Sequence, residues 1–323
     1  MLDIVCVGNA TIDTFISLKG KVEKGNLVLP VGHKQEVDSI FYSTGGGATN
    51  TAVGFRRLGL KSAVLAAVGD DPGGKIVIRE LRKEKVSTRL VKRLPNYSTA
   101  YSAILTGFGH DRIILVYGGA TTHFGLKRQV NWTWLARTKW IHVSSFHSEG
   151  HVLKTVLDFA EKRGISVSFN PGKSEICLGL KSLSAYLKKV DVLLLNKAEA
   201  GLLSKEKAVK KQLQKLQSLV PLVVITEGKR GAHAFDGTHY YFKPAYKGKI
   251  ADTTGAGDAF HSGFVAAIAK GLPVERAMDF GAGNALSVIM HLGAKNKLLG
   301  QRELVEFIEE HETSKTKAAK EKI

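Results

Sequence analysis

The sequence predicts an α/β protein with a mostly parallel central sheet, helices on both of its faces and a small β-sheet lid. Three observations predict it. Short apolar runs dense in Val, Ile and Leu alternate with amphipathic helical patterns along most of the chain, as expected of strands buried on both faces. Two regions instead alternate polar and apolar residues with period two, which suits half-exposed strands. The 323 residues are 44 % hydrophobic, enough for one large core.

The first run, DIVCVG (3–8), opens the chain as a buried strand. Residues 14–43 follow with period-two alternation, and 48–59 have helical spacing. SAVLAAVG (62–69) is the second core strand and 73–84 the next helix. Residues 97–117, with YSTAYSAILTG, return to period two. Both period-two regions follow core units, so they are expected to pair as one lid over the carboxyl edge of the main sheet. KWIHVSS (139–145), ISVSFN (165–170), DVLLLN (191–196) and LVVITEG (222–228) read as core strands, with helices near 149–163 and 205–219. GAHAFDGTHYYFKP (231–244) reads as a hairpin turning at Asp236-Gly237. Two or three helices follow from 256 to 311. The expected domain is therefore 1–311. The basic tail, 312–323, lacks apolar periodicity and is expected to be mobile.

The formal net charge is +18. The excess is mainly lysine on helical faces, as in SKEKAVKKQLQKLQ (204–217), and in the tail. No zinc finger, RNP-like motif or Arg-rich arm accompanies it, so nucleic acid is disfavoured. Such a field suits phosphorylated small molecules better. The two cysteines, Cys6 and Cys177, form neither a metal spacing nor a disulfide framework. No run is long enough to span a bilayer. A cytoplasmic protein without a membrane partner is expected.

The chemistry gathers at two glycine clusters. In ADTTGAGDAFHSGF (251–264), Gly255 and Gly257 permit conformations closed to other residues and let a ligand approach the main chain. The following helix starts there, so its first N–H groups and positive dipole end form an anion site. Asp258 is either a helix-end carboxylate or a proton acceptor beside a transferring phosphoryl group. The second cluster is STGGGATNTAVGFRRLG (43–59), which lacks the spacing and Lys of a P-loop. Asn50 there is either a cap or a partner for a polyol hydroxyl. Asp13 follows the first strand, and Glu199 follows another strand end as a helix-start acid or a Mg²⁺-water ligand. These elements all fall at strand carboxyl ends, where open α/β sheets bind ligands.

Two motifs carry a resemblance over almost the whole chain. GGGATNTAVGFRRLGLKSAVLAAVGDDPGG (45–74) and DTTGAGDAFHSGF (252–264) resemble the two signatures of the ribokinase-like (PfkB) carbohydrate and nucleoside kinase family. The resemblance implies a ribokinase-like three-layer sandwich. It makes Asp258 the catalytic base and the amides of Gly255, Ala256 and Gly257 the anion hole. It places Asp13, Gly46 and Asn50 against the sugar. Asn196 and Glu199 match the family's Asn-x-x-Glu, tied to phosphate and Mg²⁺. Thr226 and Gly228 match its nucleotide loop. Asp252, Thr254 and Gly293 match positions around a monovalent cation such as K⁺. Gly47 stands where ribokinases proper usually carry Lys.

The expected activity is transfer of the γ-phosphoryl group of ATP, with Mg²⁺, to a hydroxyl of a furanose-like sugar. A nucleoside or a sugar phosphate is the alternative acceptor, and a homodimer through the lid is expected of some members. A sugar-binding regulatory protein is the non-enzyme alternative, against which the intact Asp258 argues. A Rossmann dehydrogenase is disfavoured because CVGNATID lacks the glycine fingerprint.

Overall fold

The computed structural model describes residues 1–322 except 24, 109–111, 126–129 and 146–150. The tip of the expected lid region 97–117, the first two residues of the expected 149–163 helix and the last residue of the tail lie outside the described residues. In chain order the main elements are β1 (Leu2–Val7), β2 (Thr11–Ser17), β3 (Ser39–Gly45), α1 (Gly47–Arg57), β4 (Ser62–Leu65), α2 (Pro72–Lys83), β5 (Ala100–Thr106), β6 (Ile113–Tyr117), β7 (Thr138–Val143), α3 (His151–Arg163), β8 (Ser166–Phe169), α4 (Lys173–Cys177), α5 (Gly179–Leu187), β9 (Val192–Asn196), α6 (Lys197–Ser204), α7 (Val209–Gln217), β10 (Leu222–Thr226), β11 (Ala232–Phe235), β12 (His239–Lys243), α8 (Ala256–Ala269), α9 (Val274–Ile289), α10 (Gln301–His311) and β13 (Ala319–Lys322), with short strands and helical turns between them.

The central sheet runs β13-β12-β11-β10-β9-β8-β7-β1-β4. From β4 to β10 every pairing is parallel, and the last three strands add antiparallel. Alternation along each strand sends successive side chains to opposite faces. Ile4, Cys6, Val64, Leu194 and Val224 pack with Phe55 of α1, Phe264 of α8 and Met278 of α9. Val5, Val7, Leu65, Leu195 and Ile225 pack on the other face with Leu157 of α3, Leu183 of α5 and Leu213 of α7. The result is the three-layer sandwich expected from the runs of buried strands.

The lid is a separate four-stranded sheet, β6-β5-β2-β3. It joins the two period-two regions as expected, but it begins at Thr11. Asp13 therefore lies inside β2, opposite Ser43 and Ser102, rather than in a turn after β1. The hairpin β11–β12 turns at Asp236-Gly237, where Gly237 has φ of +90°.

Helices α4 and α5, and the short helices Gly119–Thr122 and Trp132–Leu135, stand where the sequence pattern predicted none, while α6 starts where Glu199 was read as a helix-start acid. The tail also departs from expectation, because β13 pairs antiparallel with β12 at the sheet edge. Its four residues are all exposed, so no apolar periodicity marks it. It is held by the backbone ladder to β12, beside which Lys320 lies 3.4 Å from Glu275 and Glu321 3.3 Å from Lys210.

Candidate active site

Helix α8 begins at the carboxyl side of the sheet, after a turn that only glycine fits. Gly255 has φ of +78°, and a Cβ there would lie 2.5 Å from the Ala294 backbone. The turn is thus pressed against the 293–295 loop. Gly257 differs from expectation: its backbone is ordinary helix, and an added Cβ would meet only His261, at 3.8 Å. What Gly257 keeps open is space on the ligand side. The Ala256 N–H turns back to Thr253 O at 3.3 Å. The N–H groups of Gly255 and Gly257 have no acceptor among the described residues, so two of the three expected amides are free for an anion.

Asp258 sits in the first turn of α8, half-buried. Asn50 of α1 donates from Nδ2 to its Oδ2 at 2.8 Å. Asn50 is therefore not a cap; Gly46 is the N-cap of α1, with φ of +93°. A Cβ at Gly46 would fall 2.3 Å from the Asn9 carbonyl oxygen, so the first glycine turn is fixed against the end of β1. Among the described residues the Asn50 Oδ1 is buried without a partner, an acceptor position left for a ligand hydroxyl.

Asp13 is 8 % exposed and accepts from Thr11 Oγ1 at 2.9 Å. Burial raises the pKa of Asp13, against hydrogen bonds from Thr11 and Ser102 and the charge of Lys295. Burial likewise raises that of Asp258, opposed by the Asn50 hydrogen bond and Lys295 and reinforced by the Asp13 charge. The two carboxylates thus face one site from lid and helix. A half-buried carboxylate with a raised pKa, beside free amides, can accept a proton from a hydroxyl while the amides hold an anion.

On the other side of α8 a cleft of about 500 Å³ opens, lined by Thr226, Gly228, Lys247, Ile250, Gly257 and Phe260 among others. Thr226 and Gly228, matched by the resemblance to a nucleotide loop, line this cleft. Asn196 lines a neighbouring depression instead, shared with Thr226 and Gly228. Asn196 and Glu199 cap α6 reciprocally: Asn196 Oδ1 accepts from Glu199 N, and Glu199 Oε2 from Asn196 N, both at 2.9 Å. The helix-start reading of Glu199 is thus realised. Burial raises the Glu199 pKa.

Asp252, Thr254 and Gly293 come together. Asp252 Oδ1 accepts from Thr254 N (3.0 Å) and Oγ1 (2.8 Å), and Oδ2 from Gly293 N (3.4 Å). Arg112, beside the lid strand β6, donates to Thr253 Oγ1 at 2.8 Å and lies 3.8 Å from Asp252. The sequence reading missed Arg112 and Lys295. Each stands among many basic residues, and nothing local separates them from solvated ones.

The two roles of the glycine turn can be told apart. Gly255→Ala is expected to lower stability by about 2 kcal/mol, from left-handed backbone and overpacking. Gly257→Ala should leave the melting temperature unchanged or raised, since Ala favours helix. It should lower phosphoryl transfer about tenfold by filling the anion side, about 1.4 kcal/mol of transition-state binding. Thermal melts and turnover of both variants check this.

A family model described as pfkB family carbohydrate kinase matches residues 1–299. A nucleoside kinase of Methanocaldococcus jannaschii is 26 % identical over 317 residues, covering 96 % of this chain and 98 % of its own. An ATP-dependent 6-phosphofructokinase of Thermoanaerobacterium thermosaccharolyticum is 24 % identical, covering 81 % and 84 %. The structure of Arabidopsis thaliana ribokinase complexed with ribose and ATP superposes with a TM-score of 0.83 at 19 % identity, over 95 % and 98 % of the two chains. Such neighbours carry the same sandwich, and the family match spans both glycine turns and both carboxylates. The chain belongs to the pfkB family of carbohydrate kinases.

Proposed function

We propose that this kinase transfers the γ-phosphoryl group of ATP to a hydroxyl of a furanose-like sugar. The observation that carries the reading is the placement of Asp258 between the cleft and the lid, facing Asp13 and bonded to Asn50. Asp13 and the Asn50 Oδ1 hold acceptor hydroxyls. Asp258 takes the proton of the attacking hydroxyl. The amides of Gly255 and Gly257 stabilise the transferring group, and the lid excludes water. Adenine would occupy the cleft walled by Ile250 and Phe260.

Mg²⁺ would offset the charge of the phosphates. Among the described residues no cluster of three or more His, Cys, Asp or Glu is placed to hold a metal, which suits an ion carried by phosphates and water. Asn196 and Glu199 are the residues offered to it, through water. A K⁺ would meet Asp252, Thr254 and Gly293. Both Asp252 oxygens accept protein donors there.

A nucleoside is the second reading, favoured by Phe15 and Phe41. Their rings lie 5.9 Å apart on the lid face that carries Asp13, placed to stack on a base. On the opposite lid face Ile40, Tyr42, Leu115 and Tyr117 are exposed, and this supports pairing of two lids as a homodimer. A coupled ADP-release assay over free pentoses, hexoses, their phosphates and nucleosides, with the donor varied, tests the function. Turnover with a furanose sugar supports the first reading. Turnover with nucleosides alone selects the second, and none with any acceptor defeats both. No helix among the described residues is long and apolar enough to cross a membrane.

A further inference from the structure

Lys295 stands at the turn that both carboxylates flank, Asp13 against Gly45 and Asp258 against Gly47, and its charge lowers the pKa of each. It follows Ala294, which packs behind Gly255. Its Nζ donates to Thr49 Oγ1 at 3.1 Å. Thr49 Oγ1 in turn donates to the Gly45 carbonyl at 2.6 Å, at the turn that carries Gly46 and Asn50. Lys295 thus touches the supports of both glycine turns without making an ion pair among the described residues. Asp13 and Asp258 lie within its field on one side and Glu80 and Glu84 on the other. Glu84 is matched by Arg57 at 2.6 Å and Glu80 by Arg79 at 3.8 Å, so the carboxylates near Lys295 that lack an ion-pair partner among the described residues are those of the site.

We propose that Lys295 is a positioning residue of this kinase: it supplies the counter-charge shared by Asp13 and Asp258 and, through Thr49, fixes the turn that presents Asn50. The inference rests on the kinase reading of the site. Two like charges facing a closed site repel, and a nearby ammonium lets both stay ionised. The groups facing Asp258 are the Cys6 thiol from β1, Asp13 from β2, Asn50 from α1 and Lys295 from the loop after α9; His261 lies three residues along its own helix. Burial holds His261 neutral, with its pKa down to about 4. Burial lowers the Lys295 pKa to about 8, against the charges of Asp13 and Asp258, which leaves it the cation of this group at neutral pH.

The test uses Lys295→Gln, which loses the charge but can still donate to Thr49, with Lys295→Arg and Thr49→Val beside it. The pH dependence of kcat/KM is measured with Mg-ATP and whichever of ribose, ribose 1-phosphate or inosine turns over. Independently, ¹³C NMR follows the aspartate carboxyl titrations of the free protein, assigned with Asp13→Asn and Asp258→Asn. Lys295→Gln should lower turnover at neutral pH about tenfold and move the Asp258 titration up by about one unit, the scale of a lost opposite charge. Lys295→Arg should restore both. Thr49→Val should raise KM and leave the titration in place. Unmoved carboxyl titrations in folded Lys295→Gln would overturn the proposal, even if activity fell. If Lys295→Gln does not fold, Lys295→Arg decides: wild-type titrations with wild-type turnover support the shared charge, and lost turnover despite a retained charge overturns it. Absence of any kinase turnover would defeat the kinase reading alone, since the NMR titration would still report the coupling.

Discussion

Asp258→Asn is expected to lower kcat by about 10²-fold or more while the Kd for ATP stays nearly unchanged. The substitution is close to isosteric. Asn50 donates to the Oδ2 of Asp258, and the amide oxygen of the variant can accept the same bond, so the helix start and the free amides of Gly255 and Gly257 should persist. What disappears is the base. An amide cannot take the proton of the attacking hydroxyl, and general-base catalysis is worth about 10²–10⁴. The wild type adds a pH signature. The base works ionised, and burial raises its pKa above the ordinary aspartate value. The kcat/KM of the wild type should therefore fall as pH drops, with its acid limb above that of an ordinary aspartate. Stopped-flow turnover and nucleotide titration of the variant check the first expectation. Comparable turnover in folded Asp258→Asn would remove Asp258 from the chemistry.

The core strands were legible because burial on both faces leaves a dense run of Val, Ile and Leu with little else to confuse it. The lid was legible for the opposite reason, since its half-exposed strands alternate. Helices α4 and α5 (173–187) were not, because KSEICLGLKSLSAYL mixes polar and apolar residues around two short segments and presents no long stripe. Strand β13 was invisible because its backbone pairs at the sheet edge while all four of its side chains stay exposed, so no apolar pattern marks it. At the site, residues within glycine motifs could be placed because those motifs tie spacing to backbone geometry. The bond from Asn50 to Asp258 joins positions 208 residues apart, and a single sequence carries no trace of such a pair. Lys295 was lost among the many lysines of a strongly basic chain.

Asp13→Ala carries the second large expected effect, and it separates acceptor binding from nucleotide binding. Asp13 belongs to the lid rather than to the sheet that forms the cleft. It is almost wholly buried, and its Oδ1 accepts from Thr11. Its nearest strand partners, Ser43 and Ser102, are hydroxyl residues on the same face. This is the chemistry of a clamp for adjacent polyol hydroxyls, with the Asn50 Oδ1 as second acceptor. Removing the carboxylate deletes a charged hydrogen bond and leaves the acceptor hydroxyl unpaired in a closed site. The cost should be about 2–4 kcal/mol in kcat/KM. The Kd for ATP should hardly move, because the cleft of Thr226, Gly228 and Phe260 is built from other elements. Loss of Asp13 also relieves Asp258 of a neighbouring negative charge, so the acid limb of the residual activity should shift to lower pH. That shift distinguishes a lost clamp from a misfolded lid, which would lower activity without moving the limb. If Asp13→Ala retained both acceptor specificity and rate, the acceptor would have to bind away from the inner face of the lid.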